Sequence, residues 1–485
     1  MKLAEPPLPP EIWAATPTAA QALILAQQER IRDLEARLGQ TSANSSRPPS
    51  ADPPQTPARP TAPPSGRKRG GQPGHRGTYR ALLLVEQVDE VVAVVPEVCR
   101  HCGQPFPEAT RRRRDRVWRH QVVELLPLAV RVTEYQMGVP RRPFGARLTA
   151  VIALLSGRYR LSRREVRHLL QDLWEIKVSL GAVVRQEQAQ SAALAPVVEE
   201  TRAAVQQAAV VNIDETAWRQ EQRRAWLWTV VTGALTVFWI NRSRGGAVVE
   251  QVLGSQFAGV VGSDRWSAYN RFPAERRALC YAHLRRDFQA LVDRGGAAEP
   301  IGRWGLAEIK RLFTFWHRFR AGEFDRPELR RRLIPLQARL ARLLRRGQDN
   351  PDHKAAGLCR ELTKWWPALW TFARVEGVEP TNNGAERALR PAVLWRKGSF
   401  GSNSEAGSRF VERLLTVVAT CRQQGRPLLD FLVAAVQAAT GQPAALSALG
   451  TRGRLNSYGQ RKAEASGGWC SMTTRQGFTF PRRRQ

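Results

Sequence analysis

The chain changes its apolar period several times. In AAQALILAQQERIRDLEARLG, residues 19–39, Ile24, Ile31 and Leu38 recur every seven residues with Leu34 between them, and Gly39 closes the run. This spacing predicts one helix. It falls short of the roughly three to four heptads that define a coiled coil, so a zipper and a single amphipathic helix both stay open. Residues 81–140 alternate instead, as in LLLVEQVDEVVAVVP and HQVVELLPLAVRVTEYQMG, which predicts short strands. Helical spacing returns over 146–195 in ARLTAVIALLSGRY, LSRREVRHLLQDLW and VSLGAVVRQEQAQ, with Ser162 and Ser179 as N-caps. Two short capped helices joined tightly suit a helix-turn-helix that touches DNA, or a plain helical subdomain.

Three apolar runs follow, AAVVNIDETAW, AWLWTVVTG and LTVFWINRS, separated by polar turns. GAVVEQVLG reads as a short helix, FAGVVGSDRWSAYN as a strand ending in an acid, and RALCYAHLRRDFQALV as a strand or turn passing into a helix. Three strands, a helix, a strand and a helix predict a mixed α/β layer. Long helices over 303–375 interrupt it. Helix resumes from TNNGAERALRP through SRFVERLLTVVATCRQQG to PLLDFLVAAVQAA.

The predicted organisation is a helix over 1–40, a Pro/Ser/Gly linker over 41–80, a ribbon-like domain over 81–142 and a helical segment over 143–200. An α/β core over 205–292 and 381–445 is split by a helical insertion over 293–380, and a basic, patternless tail covers 446–485.

Lys and Arg outnumber Asp and Glu by 75 to 43, a net charge of +32 over 485 residues. Such a surface favours a polyanionic partner, with nucleic acid first. No apolar run approaches the roughly 18 residues of a membrane span, and MKLAEPPLPPEIW has no apolar signal core, so no membrane and a cytoplasmic, nucleoid-associated location are expected. Of six cysteines only Cys99 and Cys102 are close in sequence, which suits a reducing compartment.

In GRKRGGQPGHRG, Arg67, Lys68, Arg69, His75 and Arg76 stand among glycines. That is the composition of a basic arm that lies in a minor groove, or of an ordinary solvated linker. CRHCGQPF supplies Cys99 and Cys102, two of the four ligands tetrahedral Zn²⁺ needs, and no second pair follows. His101 and His120 are the remaining candidates, so a zinc site and a metal-free relic of a ribbon both stay open.

Three acids stand at the ends of predicted elements: Asp214 after AVVNI, Asp264 after AGVVGS, and Glu386 in the helix after the insertion. Phosphodiester chemistry commonly uses two divalent cations about 3.5–4 Å apart held by carboxylates, with Mg²⁺ or Mn²⁺ as the hard ions that suit oxygen ligands. Acids at strand ends also serve as turn residues. Asp214 and the adjacent Glu215 must face opposite sides of a strand, and the local sequence does not choose between them.

The segments NIDETAWR, VGSDRWSAYN, CYAHLRRDF and TNNGAERALRPAVLWRKGSFGSNSEAGSRFVERLLTVVATCRQQGRPLLDFL closely resemble the insertion sequence 66 family of bacterial transposases. RGGQPGHRG, CRHCGQPF and GARLTAVIALLSGRYRLSRREV match it in the same order, so the resemblance spans roughly residues 20–445. It implies an α+β multidomain chain with a ribonuclease-H-like catalytic core interrupted by helices, preceded by a degenerate zinc ribbon and DNA-binding helices. It assigns a metal-binding catalytic triad to Asp214, Asp264 and Glu386 rather than Glu215, with separations of 50 and 122 residues.

Around the triad, Arg390 is placed to orient Glu386 or hold a phosphate, and Asn383 to assist or cap. Lys397 is placed to contact a phosphate, and His283 to contact DNA or to sit satisfied in the core. The implied activity is cutting and joining of DNA at element ends, on terminal inverted repeats and target DNA, in a homodimer or larger synaptic complex with accessory proteins from the same element. An inactive DNA-binding remnant and a structure-specific nuclease are the alternatives. The family usually has a second CxxC after the VTEYQ segment; here Met137 and Pro140 stand near its place, and half of the zinc site is missing.

Overall fold

The axis of the fold is β1 (Val210–Gln220), where apolar side chains alternate with half-buried ones over eleven residues. β2 (Arg223–Val231) and β3 (Thr236–Asn241) pair antiparallel on one side of it, and β4 (Val260–Ser263) and β5 (Arg277–Leu279) run parallel on the other. The mixed sheet has the order β3-β2-β1-β4-β5. The turn between β1 and β2 holds Glu221 and Gln222 in the left-handed region, at φ of 52° and 61°, as a two-residue hairpin of primed type requires.

The computed structural model describes residues 9–45, 82–92, 98, 102–105, 119–123, 130–132 and 144–442. It divides into two units, 55–135 and the remainder. Within 55–135 the described residues hold a 3-10 turn, Val85–Gln87, and one antiparallel bridge, Val98 to Pro105, with no strand among them. The expected strand over 82–96 is not formed in its described part, 82–92, which holds only that turn; the rest of it and most of the second alternating segment, 120–138, lie outside the described residues.

In the other unit the helices, in chain order, begin with α1 (Pro10–Ala15), α2 (Thr18–Leu38), α3 (Ala146–Ala153), α4 (Arg163–Trp174) and α5 (Leu180–Gln206). They continue with α6 (Gly246–Leu253), α7 (Tyr281–Arg294), α8 (Glu299–Arg320), α9 (Arg326–Gln348), α10 (His353–Lys364), α11 (Trp366–Leu369) and α12 (Thr371–Arg374). α13 (Asn383–Ser399), α14 (Glu405–Gln424) and α15 (Leu428–Ala439) complete the set.

Ser162 caps α4 through a reciprocal box with Glu165, and Ser179 caps α5 by accepting from the Ala182 N–H at 3.1 Å. α5 is much longer than the short helix expected: it runs 27 residues, because its apolar face continues through Leu194, Val198 and Val205. Leu194 and Val198 join the core beneath β2 and β3.

The two faces of the sheet have separate cores. Val211 and Ile213 pack with Trp228, Val230 and α6. Trp218, Leu227, Phe238 and Ile240 pack with α13, α14 and α15. α3 continues through a wider π-type turn, Leu154–Arg158, that lies close against α14; a Cβ on Gly157 would meet Leu414 Cδ2 at 1.7 Å.

β3 is an edge strand whose outward N–H groups need acceptors. α14 supplies them. Thr420 Oγ1 accepts from Thr236 N at 3.1 Å, Thr416 Oγ1 from Phe238 N at 3.0 Å, and the Glu412 carboxylate from Ile240 N. The match is geometric: four helical residues rise about 6 Å, and two strand residues about 6.8 Å.

The helices α8–α12 form their own core, continuous with Leu279 and Tyr281 at the end of β5. Asp325 and Asp352 cap α9 and α10. The excursion begins and ends at one place, since the Tyr281 N–H donates to the Pro380 carbonyl at 2.9 Å.

α2 docks through its acids. Arg294, almost fully buried, pairs with Glu29, with Asp33 at 2.9 Å and with Asp352 at 2.5 Å. Ile31 and Leu38 of the heptad are exposed, with no partner helix among the described residues.

Candidate functional site

Asn212 of β1 lies opposite Gly262 of β4, so the same register carried two residues on sets Asp214 beside Asp264 at the strand exit. Paired residues of neighbouring strands share a face of the sheet, and this is the face that α13 covers. Glu386, in the first turn of α13, comes near enough for its charge to act on Asp214. The Asn382 side-chain amide, just before α13, donates to the Ile213 carbonyl at 2.8 Å and fixes the helix start beside Asp214.

The electrostatics record the convergence. Asp214 is held well above the ordinary carboxylate range, first by burial and then by the charges of Glu215, Asp264 and Glu386. The Glu215 backbone N–H, donating at 2.9 Å, works against this. Asp264 accepts from the Trp266 N–H at 2.9 Å, which closes the turn after β4.

Glu215 points to the opposite face. Its side chain is nearly fully buried, pairs with Arg244 at 2.7 Å and accepts from the Tyr269 hydroxyl. Burial raises its pKa, and Tyr269 and Arg244 work against that rise. Arg244 is itself stacked between Trp226 and Trp266, at 4.5 and 3.9 Å from the ring centres. This acid is therefore engaged in structure.

Glu386 takes its basic neighbours from α7: the His283 imidazole Nδ1 lies 3.7 Å and the Arg286 guanidinium 3.6 Å from its Oε1. No hydrogen bond reaches that oxygen, although it is buried, and His283 Nδ1 and Asn382 Oδ1 are buried and unpartnered too. His283 is thus neither a satisfied core histidine nor a free surface group, and burial lowers its pKa, with Arg286 adding to the effect.

Of the two roles expected of Arg390, pairing with Glu386 is not made; Arg390 is exposed and has no partner among the described residues. Glu386 is drawn inward to α7, while Arg390 one turn later lies at the surface. Asn383 is the first residue of α13, and the N-cap position belongs to Asn382. Lys397 is exposed in the last turn.

Cys280 and Asn382 escaped the sequence reading. The Cys280 thiol accepts from the Asn382 N–H at 3.2 Å, a contact that joins residues 102 apart. The basic arm with Arg67, Lys68, Arg69, His75 and Arg76 lies outside the described residues, as does Cys99; Cys102 is exposed. Among the described residues no helix is long and apolar enough to cross a membrane.

Comparison with known proteins accords with this geometry. A family model described as "Transposase IS66 family" matches residues 141–409, which include all five strands and the three acids. The chain belongs to this family. A second model, described as a family of unknown function (DUF6444), matches residues 9–81. Two curated relatives come from Sinorhizobium fredii (strain NBRC 101917 / NGR234). The uncharacterized protein y4qI is 27% identical over 232 residues, 43% of this chain and 42% of its own length. The uncharacterized protein y4hP is 28% identical over 170 residues, 30% of this chain and 29% of its own. The chain thus spans about two fifths of y4qI and less than a third of y4hP.

Proposed function

We propose that the protein is a DDE transposase with a ribonuclease-H-like catalytic core, cutting DNA at the ends of its insertion sequence and joining those ends to target DNA. The observation that carries this reading is the convergence of Asp214, Asp264 and Glu386 on one face of the sheet, with Asp214 destabilised as an anion first by burial and then by the neighbouring acids. The sheet order, three antiparallel strands followed by two parallel ones, supports the core assignment.

The donor set fits hard divalent cations. It consists of carboxylate oxygens, one of them, Glu386 Oε1, buried without a donor. Asp214, Asp264 and Glu386 would hold Mg²⁺ or Mn²⁺, which would supply activation of the attacking oxygen and charge stabilisation at the leaving oxygen. Asp214 sits on β1, the central strand of the sheet, and the Asn382 amide keeps α13 and Glu386 against it. Water is the nucleophile in cleavage and the freed 3′-hydroxyl in joining.

Arg387, Arg390 and Lys397 lie on the outer side of α13, exposed and without ion-pair partners among the described residues. They extend from the Glu386 turn to the helix end and suit a DNA backbone. Terminal inverted repeats and target DNA are the proposed substrates. A homodimer or larger synaptic complex pairs the two ends, with accessory proteins of the same element as partners.

The test is cleavage of terminal-repeat DNA with Mg²⁺ or Mn²⁺, comparing the wild type with Asp214→Asn. Cleavage by the wild type alone is expected. Binding by both proteins with cleavage by neither, accessory proteins supplied, would make the chain a DNA-binding remnant.

A further inference from the structure

We propose that Cys280, His283 and Glu386 form a second cation site, suited to a thiophilic divalent ion such as Zn²⁺, that shares Glu386 with the carboxylate cluster. The site itself stands on the placement of these side chains; its effect on cleavage rests on the function proposed above.

One ligand atom from each residue, Sγ, an imidazole nitrogen and a carboxylate oxygen, lies within 4.8 Å of the others. His283 Nδ1 and Glu386 Oε1 face each other at 3.7 Å, both buried and both without a hydrogen bond. Two unsatisfied polar atoms across one gap are costly unless something binds between them. Zn–S bonds of about 2.3 Å and Zn–N or Zn–O bonds of about 2.0–2.2 Å put tetrahedral ligands about 3.3–3.7 Å apart, so a side-chain movement of about 1 Å closes the site.

The frame is rigid where it needs to be. Cys280 is pinned by its N–H to the Ser263 carbonyl at 3.1 Å, and it precedes the first turn of α7, with His283 in that turn. Glu386 retains 36% side-chain exposure, so the carboxylate links the buried ligand atoms to solvent. A thiolate and a carboxylate together neutralise a dication. Arg286, 3.6 Å from Glu386 Oε1, is the cation that must yield. Sulfur and imidazole select Zn²⁺ over Mg²⁺, whereas the neighbouring all-oxygen cluster suits Mg²⁺, the more abundant ion. Because both draw on Glu386, Zn²⁺ opposes Mg²⁺-supported cleavage.

Co²⁺ is the probe, added to the full chain carrying Cys99→Ser and Cys102→Ser so that the knuckle contributes nothing. A thiolate-to-cobalt charge-transfer band in the near-ultraviolet is expected, and Zn²⁺ should abolish it. Cys280→Ser, which keeps an acceptor for the Asn382 N–H, should remove the band. His283→Asn, the second variant, should weaken Co²⁺ affinity by about tenfold or more. Absence of the band from the parent protein, or its survival in both variants, overturns the site. Zn²⁺ should inhibit Mg²⁺-supported cleavage by the parent at concentrations about tenfold lower than for Cys280→Ser, each against its own uninhibited rate. Equal inhibition of the two overturns the sharing of Glu386. A protein that shows the band but never cleaves fails the proposed function and leaves the site standing.

Discussion

Glu412 is the one ionisable member of the ladder that seals β3, and its titration should be visible in the stability of the whole unit. Burial raises its pKa from 4.5 to about 7, although Arg409 and the Ile240 N–H both favour the charged form. One pH unit of displacement corresponds to about 1.4 kcal/mol, so keeping this side chain ionised in the folded protein costs about 3 kcal/mol. The direction follows from the raised value. Below pH 4.5 the carboxyl is protonated folded or unfolded and contributes nothing. Between 4.5 and about 7 the unfolded chain releases its proton first, so stability falls as pH rises; above about 7 the penalty is complete. Glu412→Gln keeps an acceptor for the Ile240 N–H and cannot ionise. Urea unfolding followed by tryptophan fluorescence should find variant and wild type nearly equal near pH 4. The variant should be about 2–3 kcal/mol more stable near pH 8. An offset independent of pH, or a variant less stable at pH 8, would refute the reasoning.

Three further outcomes are expected. Arg244→Ala strands the buried Glu215 carboxylate and should lower unfolding stability by about 3 kcal/mol, most of it restored by adding Glu215→Gln. Thr416→Val keeps the shape but leaves the Phe238 N–H buried without an acceptor, and should cost about 1–3 kcal/mol in denaturant titration, whereas a neutral result would deny the ladder its role. Asp214→Asn should raise the melting temperature without divalent cations at neutral pH, since it removes a buried charge among acids. Mg²⁺ should then stabilise the wild type and leave the variant unmoved.

The sheet was legible because its strands carry the signal in themselves: AAVVNIDETAW, AWLWTVVTG and LTVFWINRS each hold most of β1, β2 and β3, although FAGVVGSDRWSAYN runs well beyond the four residues of β4. The caps at Ser162 and Ser179 were legible for the same reason, as a hydroxyl one residue before a helical period. The choice between Asp214 and Glu215 was not, because Arg244 and Tyr269, which claim Glu215, stand 29 and 54 residues away. Helical spacing suggested Arg390 as the partner of Glu386, but spacing says nothing of a second helix, and α7 supplies His283 and Arg286 instead. The length of α5 was missed because its later turns bury Gln190, Ser191 and Thr201 among apolar residues, which blurs the period. Asn382 and Cys280 act through single tertiary contacts that leave no trace in either local pattern.

The clasp between Tyr281 and Pro380 bears on how such sites are found in other chains. It makes about a hundred residues a ring whose two ends meet at the sheet, and Thr371, donating to the Arg277 carbonyl of β5, and Glu361, paired with Arg265, tie its far side back. The entropic cost of closing such a ring changes only with the logarithm of its length, each doubling adding about 0.6 kcal/mol. The length of the ring can change at small entropic cost while Glu386 stays where α13 holds it, provided the contacts to β5 and Arg265 are kept. The count of residues between the second and third acids is therefore a poor search term. The words on either side of the clasp, CYAHLRRDF and TNNGAERALRP, are the better ones.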